Sequence, residues 1–257
     1  MNELASRARY STDLVRHLVG REFHLRYRQS VFGWLWALAE PLARLAVLSF
    51  LFTRVLPLDI PNYPVFLFTG IMGWAWFSAG VSSATASAVD RRELLFRPGV
   101  PRTAPPIVSV LTDGLDYLAA LPVLALFLLF TTGIPLTAVL LPIVLAVQLL
   151  LTLGIGFALC TANVHVRDVR HAVAVVLMVG FYATPILYHR QLVPEQFQLL
   201  VDLNPMTHLI AFQRTVLIAG DLPNPLTFLA VAVVCALVFV GGLGVYRRSS
   251  PTFVDDL

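Results

Sequence analysis

Asp113 and Asp116 are the side chains best placed in this sequence for acid–base chemistry. Three positions separate them, which puts both carboxyl groups on one face of a helix. General acid–base catalysis uses such groups when a reacting partner lies within hydrogen-bond reach. No histidine or cysteine lies near them in the sequence to complete a catalytic site. We therefore expect the two aspartates to pair with arginines of neighbouring elements.

All 18 basic residues are arginine, and the sequence has no lysine. The phosphate-binding loop of P-loop ATPases needs a lysine, so the chain cannot bind ATP in that way. Any ATP-driven work must come from a partner subunit. The arginines flank apolar runs and form no soluble basic face, so we predict no nucleic-acid partner. Cys160 and Cys235 lie inside apolar runs, at a spacing that suits neither a metal site nor a redox pair.

The composition places these residues in a membrane protein. The chain is 58% hydrophobic and only 13% charged, with a mean hydropathy of +0.78, whereas soluble domains carry about 25% charged residues. A secretory signal peptide is not predicted, because Arg7, Arg9, Asp13 and Arg16 interrupt the N-terminal segment. We expect the first apolar run to be retained as a membrane span.

We predict an all-α integral membrane domain, residues 1–257, with six spans. The spans lie at about residues 34–55, 65–89, 107–130, 136–163, 172–188 and 226–246. Arginines concentrate in the segments on one side, and only Arg54, Arg190 and Arg214 fall at or beyond the other. Because positive residues favour the cytoplasmic side, both termini are predicted to lie in the cytoplasm of a multi-pass inner-membrane protein.

An amphipathic helix over about residues 10–29 is predicted to lie on the inner leaflet. Its apolar side carries leucines and valines, its other side carries arginines and histidines, and Glu22 and Arg26 interrupt the apolar side. Gly33 and Ser30 lie where this helix must turn into the first span. In that span, Glu40 and Arg44 are four residues apart and can pair with each other, with a role in a substrate path as the alternative.

Three further patterns mark the loops and the packing. The small residues from Ser78 to Ala88 favour close helix packing, with a polar pore wall as the alternative. Pro185 is predicted to stop or kink the fifth span. Asn204 and Pro205 begin a predicted helix over 205–219, which is typical of a re-entrant or interfacial element.

Six motifs resemble a known family. In order they are RYRQSVFGWLWALAEPL (26–42), YPVFLFTG (63–70) followed by Trp74, PGVPR (98–102), VHVRDVRH (164–171), YATPILY (182–188) and LNPMTHLIAFQR (203–214). Together they resemble the membrane subunit of type-2 ABC exporters that move polysaccharides, the permeases of O-antigen, teichoic acid and cell-wall galactan export. The resemblance covers about residues 12 to 250. The loop at 96–102 departs from the family, because many relatives have a Phe-Pro-Arg run there and this chain has FRPGVPR.

The resemblance implies a homodimer of this chain with two copies of a separate ATPase subunit, which would hold ATP and magnesium. No cofactor is expected on this chain. The implied substrate is a glycan linked through pyrophosphate to a polyprenol. Segment 10–29 is similar to the family's interface helix, loop 90–104 to its coupling element, and segment 190–220 to its paired outer re-entrant helices.

Candidate residues fall into three groups. The arginines assigned to ATPase coupling are Arg21, Arg26, Arg28, Arg91, Arg92, Arg97 and Arg102. The residues assigned to hinges and gates are Ser30, Gly33, Pro41, Pro185, Asn204 and Pro205. The aromatic residues assigned to the substrate path are Trp34, Trp36, Trp74, Trp76, Phe77, Tyr182 and Tyr188, with anchoring at the membrane interface as the alternative for the tryptophans.

Three other functions stay open at this level. A type-2 ABC exporter of a drug or small lipid would share the same topology. A membrane enzyme acting on polyprenyl phosphates would need a metal or an acid–base cluster, whereas the acids of this chain are scattered. A purely structural membrane protein would leave the activity of an associated ATPase unchanged.

Overall fold

A computed structural model describes residues 2–28, 33–97 and 99–253. The predicted turn residue Ser30 lies outside these residues. Ten α-helices make up most of the described chain, with short 3-10 turns at 33–35, 136–140 and 190–192 and π-helical turns at 51–55 and 215–219. The helices are α1 (Asn2–Tyr27), α2 (Trp36–Phe50), α3 (Tyr63–Asp90), α4 (Arg92–Phe96), α5 (Ala104–Thr131), α6 (Leu141–His165), α7 (Val169–Ala183), α8 (Glu195–Leu203), α9 (Pro205–Arg214) and α10 (Pro225–Ser249).

Four helical segments are long and apolar enough to cross a membrane. They are Tyr63–Asp90, Ala104–Thr131, Leu136–His165 and Pro225–Ser249, and each coincides with a predicted span. The remaining two predicted spans correspond to α2 and α7, which have 15 residues each. Such a helix is about 22 Å long, short of the roughly 30 Å of a hydrocarbon core. The 3-10 turn at 33–35 and the π-helical turn at 51–55 lengthen α2 at both ends.

Helix α3 is the most buried of the four, and its small residues explain why. A Cβ atom on Gly80 would lie 2.8 Å from Thr152 Cγ2 of α6, and one on Gly156 of α6 would lie 2.7 Å from Ala84 Cβ. Larger side chains at these positions would force the helices apart. On this face of α3, the small residues pack helices together, as the packing interpretation predicts.

Helices α6 and α10 touch backbone to backbone. A Cβ atom on Gly242 would lie 1.9 Å from the Gly154 carbonyl oxygen, and one on Gly154 would lie 2.6 Å from the Phe239 nitrogen. No side chain at either glycine could be accommodated by a rotamer change, because the obstructing atoms belong to the main chain. The two glycines therefore fix the distance between these helices.

The bundle has two different ends. We name the end with residues 91–103, 165–170 and 247–253 the inner end, and the end with residues 56–62, 131–140 and 184–224 the outer end, after the predicted orientation. At the inner end, the Tyr246 hydroxyl donates to the Arg102 carbonyl at 2.7 Å. At the outer end, Thr137 Oγ1 donates to the Val216 carbonyl at 2.8 Å.

The predicted helix boundaries agree with the structure at the outer end. Helix α7 ends at Ala183, two residues before Pro185. Helix α9 begins at Pro205, and the Asn204 side chain accepts a hydrogen bond from the Met206 amide at 3.0 Å. The helix continues as the π-helical turn 215–219 and stops at Gly220, whose φ of +73° suits glycine.

Candidate functional site: a cavity between α2, α3, α5 and α7

An open cavity of about 1020 Å³ lies between helices α2, α3, α5 and α7. This volume is at the upper end of the range for small-molecule sites. Its wall contains both aromatic and charged side chains. These are Trp36, Trp74, Trp76, Tyr117, Phe181, Tyr182, Glu40, Arg44, Asp113 and Asp116.

The aromatic part of the wall is held in place by other aromatic groups and by the backbone. The Trp74 ring lies 5.3 Å from Phe77 and 6.3 Å from Phe181. Trp76 Nε1 donates to the Val110 carbonyl at 3.3 Å. Trp74 and Trp76 are buried within the protein, which does not favour anchoring at the membrane interface for them. The exposed rings of Trp36 and Tyr182 offer flat apolar surfaces to a ligand.

The structure brings four of the seven predicted path residues to the cavity wall. Trp36 and Tyr182 are largely exposed, whereas Trp74 and Trp76 line the cavity with little exposed surface. Phe77 lies behind Trp74 and does not line the cavity. Tyr188 does not line it either, and its hydroxyl donates to the Tyr182 carbonyl at 3.0 Å. The side chain of Trp34 lies outside the described part of the chain.

Small residues of α3 form the wall between the two tryptophans and the inner end. Ser78, Ala79 and Ser82 line the cavity, while Gly80 and Ala84 pack against α6. The small residues of α3 therefore pack against α6 on one face of the helix and line the cavity on another. The face toward α6 allows close packing, and the other face leaves room for the cavity.

One charged pair lies within the cavity. Arg44 Nη2 and Glu40 Oε1 are 2.6 Å apart, as their four-residue spacing predicts. The Arg44 guanidinium also lies 5.9 Å from the centre of the Phe181 ring, within cation–π range. Pro41 lines the same wall, inside the continuous helix α2.

The acidic pair at the inner side of the cavity is bound to α1. Arg26 Nη2 lies 2.8 Å from Asp113 Oδ1, and Arg26 Nη1 lies 2.6 Å from Asp116 Oδ2. Ser83 also donates a hydrogen bond to Asp113. The expected pairing with an arginine of another element is confirmed. Both carboxylates are ion-paired, which does not favour a role as a general acid or base.

A second ion pair joins α1 to the end of α3. Arg91 Nη2 lies 3.1 Å from Glu22 Oε1, and Arg91 also donates to the Ser109 hydroxyl of α5. Glu22 and Arg26 are the two residues that interrupt the apolar side of α1. Their partners explain the interruption, because both charges point toward the bundle and not toward lipid.

The predicted coupling arginines divide into two sets. Arg26 and Arg91 are bound within the chain. The others have exposed side chains at the inner end, and one of them, Arg92, also interacts with another residue. These are Arg21, Arg28, Arg92, Arg97 and Arg102. Gly33, which precedes α2, has a φ of +53°, a backbone conformation that most side chains disfavour.

Sequence reasoning missed a polar network behind the cavity. Gln213 Nε2 donates to Gln148 Oε1 at 2.7 Å, and Gln148 Nε2 donates to the Gly73 carbonyl at 2.8 Å. The Tyr117 hydroxyl, whose ring lines the cavity, donates to Gln213 Oε1 at 3.4 Å. A glutamine within an apolar run was the available signal, because polar residues in membrane segments usually have a partner.

The pKa values of Asp202 and His189 in the outer loop are shifted by their neighbours. Arg190 bonds to Asp202 and holds the pKa of that carboxyl below its usual value. Burial, and then the charge of Arg214, lower the pKa of His189 below the usual 6.5. The His189 ring lies 4.6 Å from the Phe66 ring. At neutral pH His189 is therefore uncharged, which suits its position beside a cation.

Several membrane-length apolar helices with an open cavity between them define a multi-pass membrane protein of the transporter class. The chain belongs to the ABC-2 type transporter family, whose model matches residues 13–218. Chains of this family are the permease subunits of ABC exporters.

The chain is similar to three proteins over nearly their whole length. It is 30% identical over 251 residues to the O-antigen export system permease protein RfbA of Klebsiella pneumoniae, covering 96% of both chains. It is 31% identical over 247 residues to RfbA of Myxococcus xanthus, covering 95% of both. It is 25% identical over 239 residues to the polysialic acid transport protein KpsM of Escherichia coli, covering 91% of this chain and 92% of KpsM.

Proposed function

We propose that this chain is the permease subunit of an ATP-driven exporter that moves a polyprenyl-pyrophosphate-linked polysaccharide across the bacterial inner membrane. The observation that carries the proposal is the near full-length similarity to O-antigen export permeases. The cavity supports it, because aromatic faces and a charged pair lie side by side along its wall. Sugar rings present apolar faces and hydroxyl groups, and such a wall suits both.

In this proposal the domain spans the membrane six times, with α2 and α7 as the two shorter crossings. Both termini are cytoplasmic, since the exposed arginines of the inner end favour that side. Helices α8 and α9, with the turns around them, form the outer re-entrant element of residues 190–220. Helix α8, with nine residues, is too short for a further span. Helix α9 carries His208, Gln213 and Arg214, which are typical of a re-entrant or interfacial element and not of a span.

The working complex is a homodimer of this chain with two ATPase subunits, which bind the ATP and magnesium. A cavity open on one side suits a path completed by a second copy. Interface helix 10–29 and coupling loop 90–104 receive the motion of the ATPase. Exposed arginines of the inner end contact it, and these are Arg21, Arg28, Arg92, Arg97 and Arg102. The ion pairs of Arg26 and Glu22 pass the motion of α1 to α3 and α5.

Blocking the cavity provides a direct test of the function. Ala79 lines the cavity, so Ala79→Trp should obstruct it. Val240→Trp is the matched control, because Val240 lies on the exposed side of α10. In a strain that lacks the chromosomal copy, we expect Ala79→Trp to abolish surface polysaccharide and to cause lipid-linked glycan to accumulate inside, while Val240→Trp restores export. Normal surface polysaccharide in the deletion strain would contradict the proposal, and altered drug sensitivity alone would favour a drug exporter.

A further inference from the structure

Two adjacent residues of α9, Gln213 and Arg214, attach the outer segment to the rest of the fold. The segment from Arg190 to Ala219 contains two short helices and several turns, and such segments are often mobile. Here its attachment is made by side chains that reach back into α3, α6 and the residues that follow α7. Gln213 contacts side-chain groups of α5 and α6, whereas Arg214 contacts backbone carbonyls of α3 and of the residues after α7.

Arg214 binds three backbone carbonyls. Its Nε donates to the Phe66 carbonyl at 3.2 Å, Nη1 to the Pro185 carbonyl at 2.8 Å and Nη2 to the Ile186 carbonyl at 2.7 Å. Its guanidinium carbon lies 3.4 Å from the centre of the Phe66 ring. Among the described residues it forms no ion pair with a carboxylate. Carbonyl dipoles and an aromatic face therefore balance its charge.

Helix α3 has two glycines that make room for this pair. A Cβ atom on Gly70 would lie 2.6 Å from Arg214 Nη2, and one on Gly73 would lie 2.9 Å from Gln213 Oε1. The glycines are three residues apart, so they lie on one face of α3. Each glycine faces one residue of the pair, so the surface of α3 is complementary in shape to the Gln213 and Arg214 side chains of α9.

The pair connects to both sides of the cavity's outer part. Gln213 accepts a hydrogen bond from Tyr117, which lines the cavity from α5. Arg214 holds the carbonyls of Pro185 and Ile186, which follow the cavity residues Phe181 and Tyr182 at the end of α7. A shift of α9 away from α3 would break the contacts to both walls together.

We propose that Gln213 and Arg214 are positioning residues that fasten the outer segment to α3 and so hold the outer part of the cavity wall in place. The role in transport rests on the proposed function, whereas the attachment itself does not. On this view α9 does not swing away from α3 when the path opens. The outer segment and α3 move together, and the glycines Gly70 and Gly73 keep them in register.

Cysteine labelling in membrane fragments open on both faces tests the attachment without any transport assay. Cys160 and Cys235 are first replaced by alanine, and a single cysteine is then placed at Leu187, Leu192 or Leu124. Leu187 is buried beside the attachment, Leu192 is exposed in the outer loop, and Leu124 is buried within α5. The labelling rate with a charged maleimide is measured at each position.

We expect Arg214→Gln to speed labelling at Leu187 by about tenfold or more, because hydrogen bonds from a charged donor are the stronger ones. The labelling rate in Arg214→Lys should lie between those of the wild type and Arg214→Gln. Lysine keeps the charge but lacks the planar fork that reaches three carbonyls. Gly70→Ala should act in the same direction as Arg214→Gln. Gly241→Ala is the matched control, because a Cβ atom there would meet nothing within 4 Å.

Labelling at Leu192 should stay fast and labelling at Leu124 should stay slow in every variant. Unchanged labelling at Leu187 in Arg214→Gln would overturn the proposal. So would a parallel rise at Leu124 in both Arg214→Gln and Gly70→Ala, because it would mean that the pair supports the whole fold. If the labelling result holds while glycan export is absent even in the wild type, the proposed function fails and the attachment stands.

Discussion

The inner and outer ends of the molecule are held together by different chemistry. At the inner end, α1 is joined to the bundle by ion pairs from Arg26 and Glu22, whose side chains are about one third exposed. At the outer end, α9 is joined by the buried amides Gln148 and Gln213 and by Arg214 on backbone carbonyls. Solvent and salt screen the first kind of contact and reach the second kind poorly.

This difference indicates which end can be rearranged at small cost. The Arg26–Asp116 and Glu22–Arg91 pairs are partly exposed and contribute about 0–1 kcal/mol each, so a partner that binds α1 could replace them. A buried polar group left without a partner costs about 1–3 kcal/mol, so the outer contacts persist unless the whole unit moves. Weaker contacts at the inner end and stronger ones at the outer end fit the proposal that an ATPase acts on the inner end while the outer end keeps its contacts.

The largest expected effect comes from breaking the outer amide network. Gln148→Leu or Gln213→Leu leaves the other amide buried without its partner, and each should lower the free energy of unfolding by about 1–3 kcal/mol. The double variant should lower the free energy of unfolding by less than the two single variants together, because neither side-chain amide is left without its partner. Thermal unfolding of the purified chain in detergent measures all three. Strictly additive losses would argue against a coupled network.

Gly33→Val should have the next largest effect, at the inner end. The φ of +53° at Gly33 costs a side-chain-bearing residue roughly 1–2 kcal/mol, and a Cβ atom there would meet nothing within 4 Å. The variant should therefore change the path of the backbone and not the packing. We expect ATP hydrolysis to continue while export falls. Gly33→Asn is the control, because asparagine tolerates this conformation better. Equal export by both variants would contradict the hypothesis that Gly33 is a hinge.

Glu22→Ala should destabilise the fold less than the changes above, by about 1 kcal/mol or less, because its pair with Arg91 is partly exposed. Its effect should be smaller again at high salt, since salt already screens this pair. We expect a larger loss in the stimulation of ATP hydrolysis than in stability, with Glu22→Asp retaining part of it. Unfolding in low and high salt provides the measurement. A loss equal to that of Gln213→Leu would remove the contrast between the ends.

The smallest expected effect concerns His189 and pH. Its pKa in the folded protein lies below 6.5 because of burial and the charge of Arg214, so the unfolded chain takes up the proton first. The stability from neutral His189 is present above pH 6.5 and is lost as the pH falls through 6.5 toward the folded value. We expect a fall in Tm of less than about 2 °C between pH 7.5 and 5.5, which His189→Gln should remove. An unchanged pH profile in that variant would assign the fall to other groups.

The long helices and their ends could be predicted because their signals are local. Apolar runs predicted the four long apolar helices that could span a membrane. The Asn204 cap and Gly220 marked the ends of α9 and its π-helical turn. Asp113 and Asp116 were predicted to bind an arginine, because a charge in an apolar segment needs a partner. Which arginine it is could not be predicted, since Arg26 is 87 residues from Asp113.

The cavity and the outer attachment could not be predicted for the same reason. Arg214 was interpreted as one polar residue of an outer helix, and its partners Phe66 and Ile186 belong to distant segments. Every residue has a backbone carbonyl, so the sequence does not indicate which carbonyls a side chain will bind. Phe77 and Trp74 look alike in an apolar run, but only the tertiary fold decides which of them faces the cavity.

The contact of Gly154 with Gly242 has a consequence for how the chain is made. Synthesis proceeds from the N-terminus, so α6 leaves the ribosome before α10 exists. Until α10 is inserted, the groove at Gly154 lies open to lipid, and the nascent protein lacks the helix that closes it. A ribosome that stalls before Pro225 would therefore release a chain with an uncovered membrane face, which a quality-control protease could recognise.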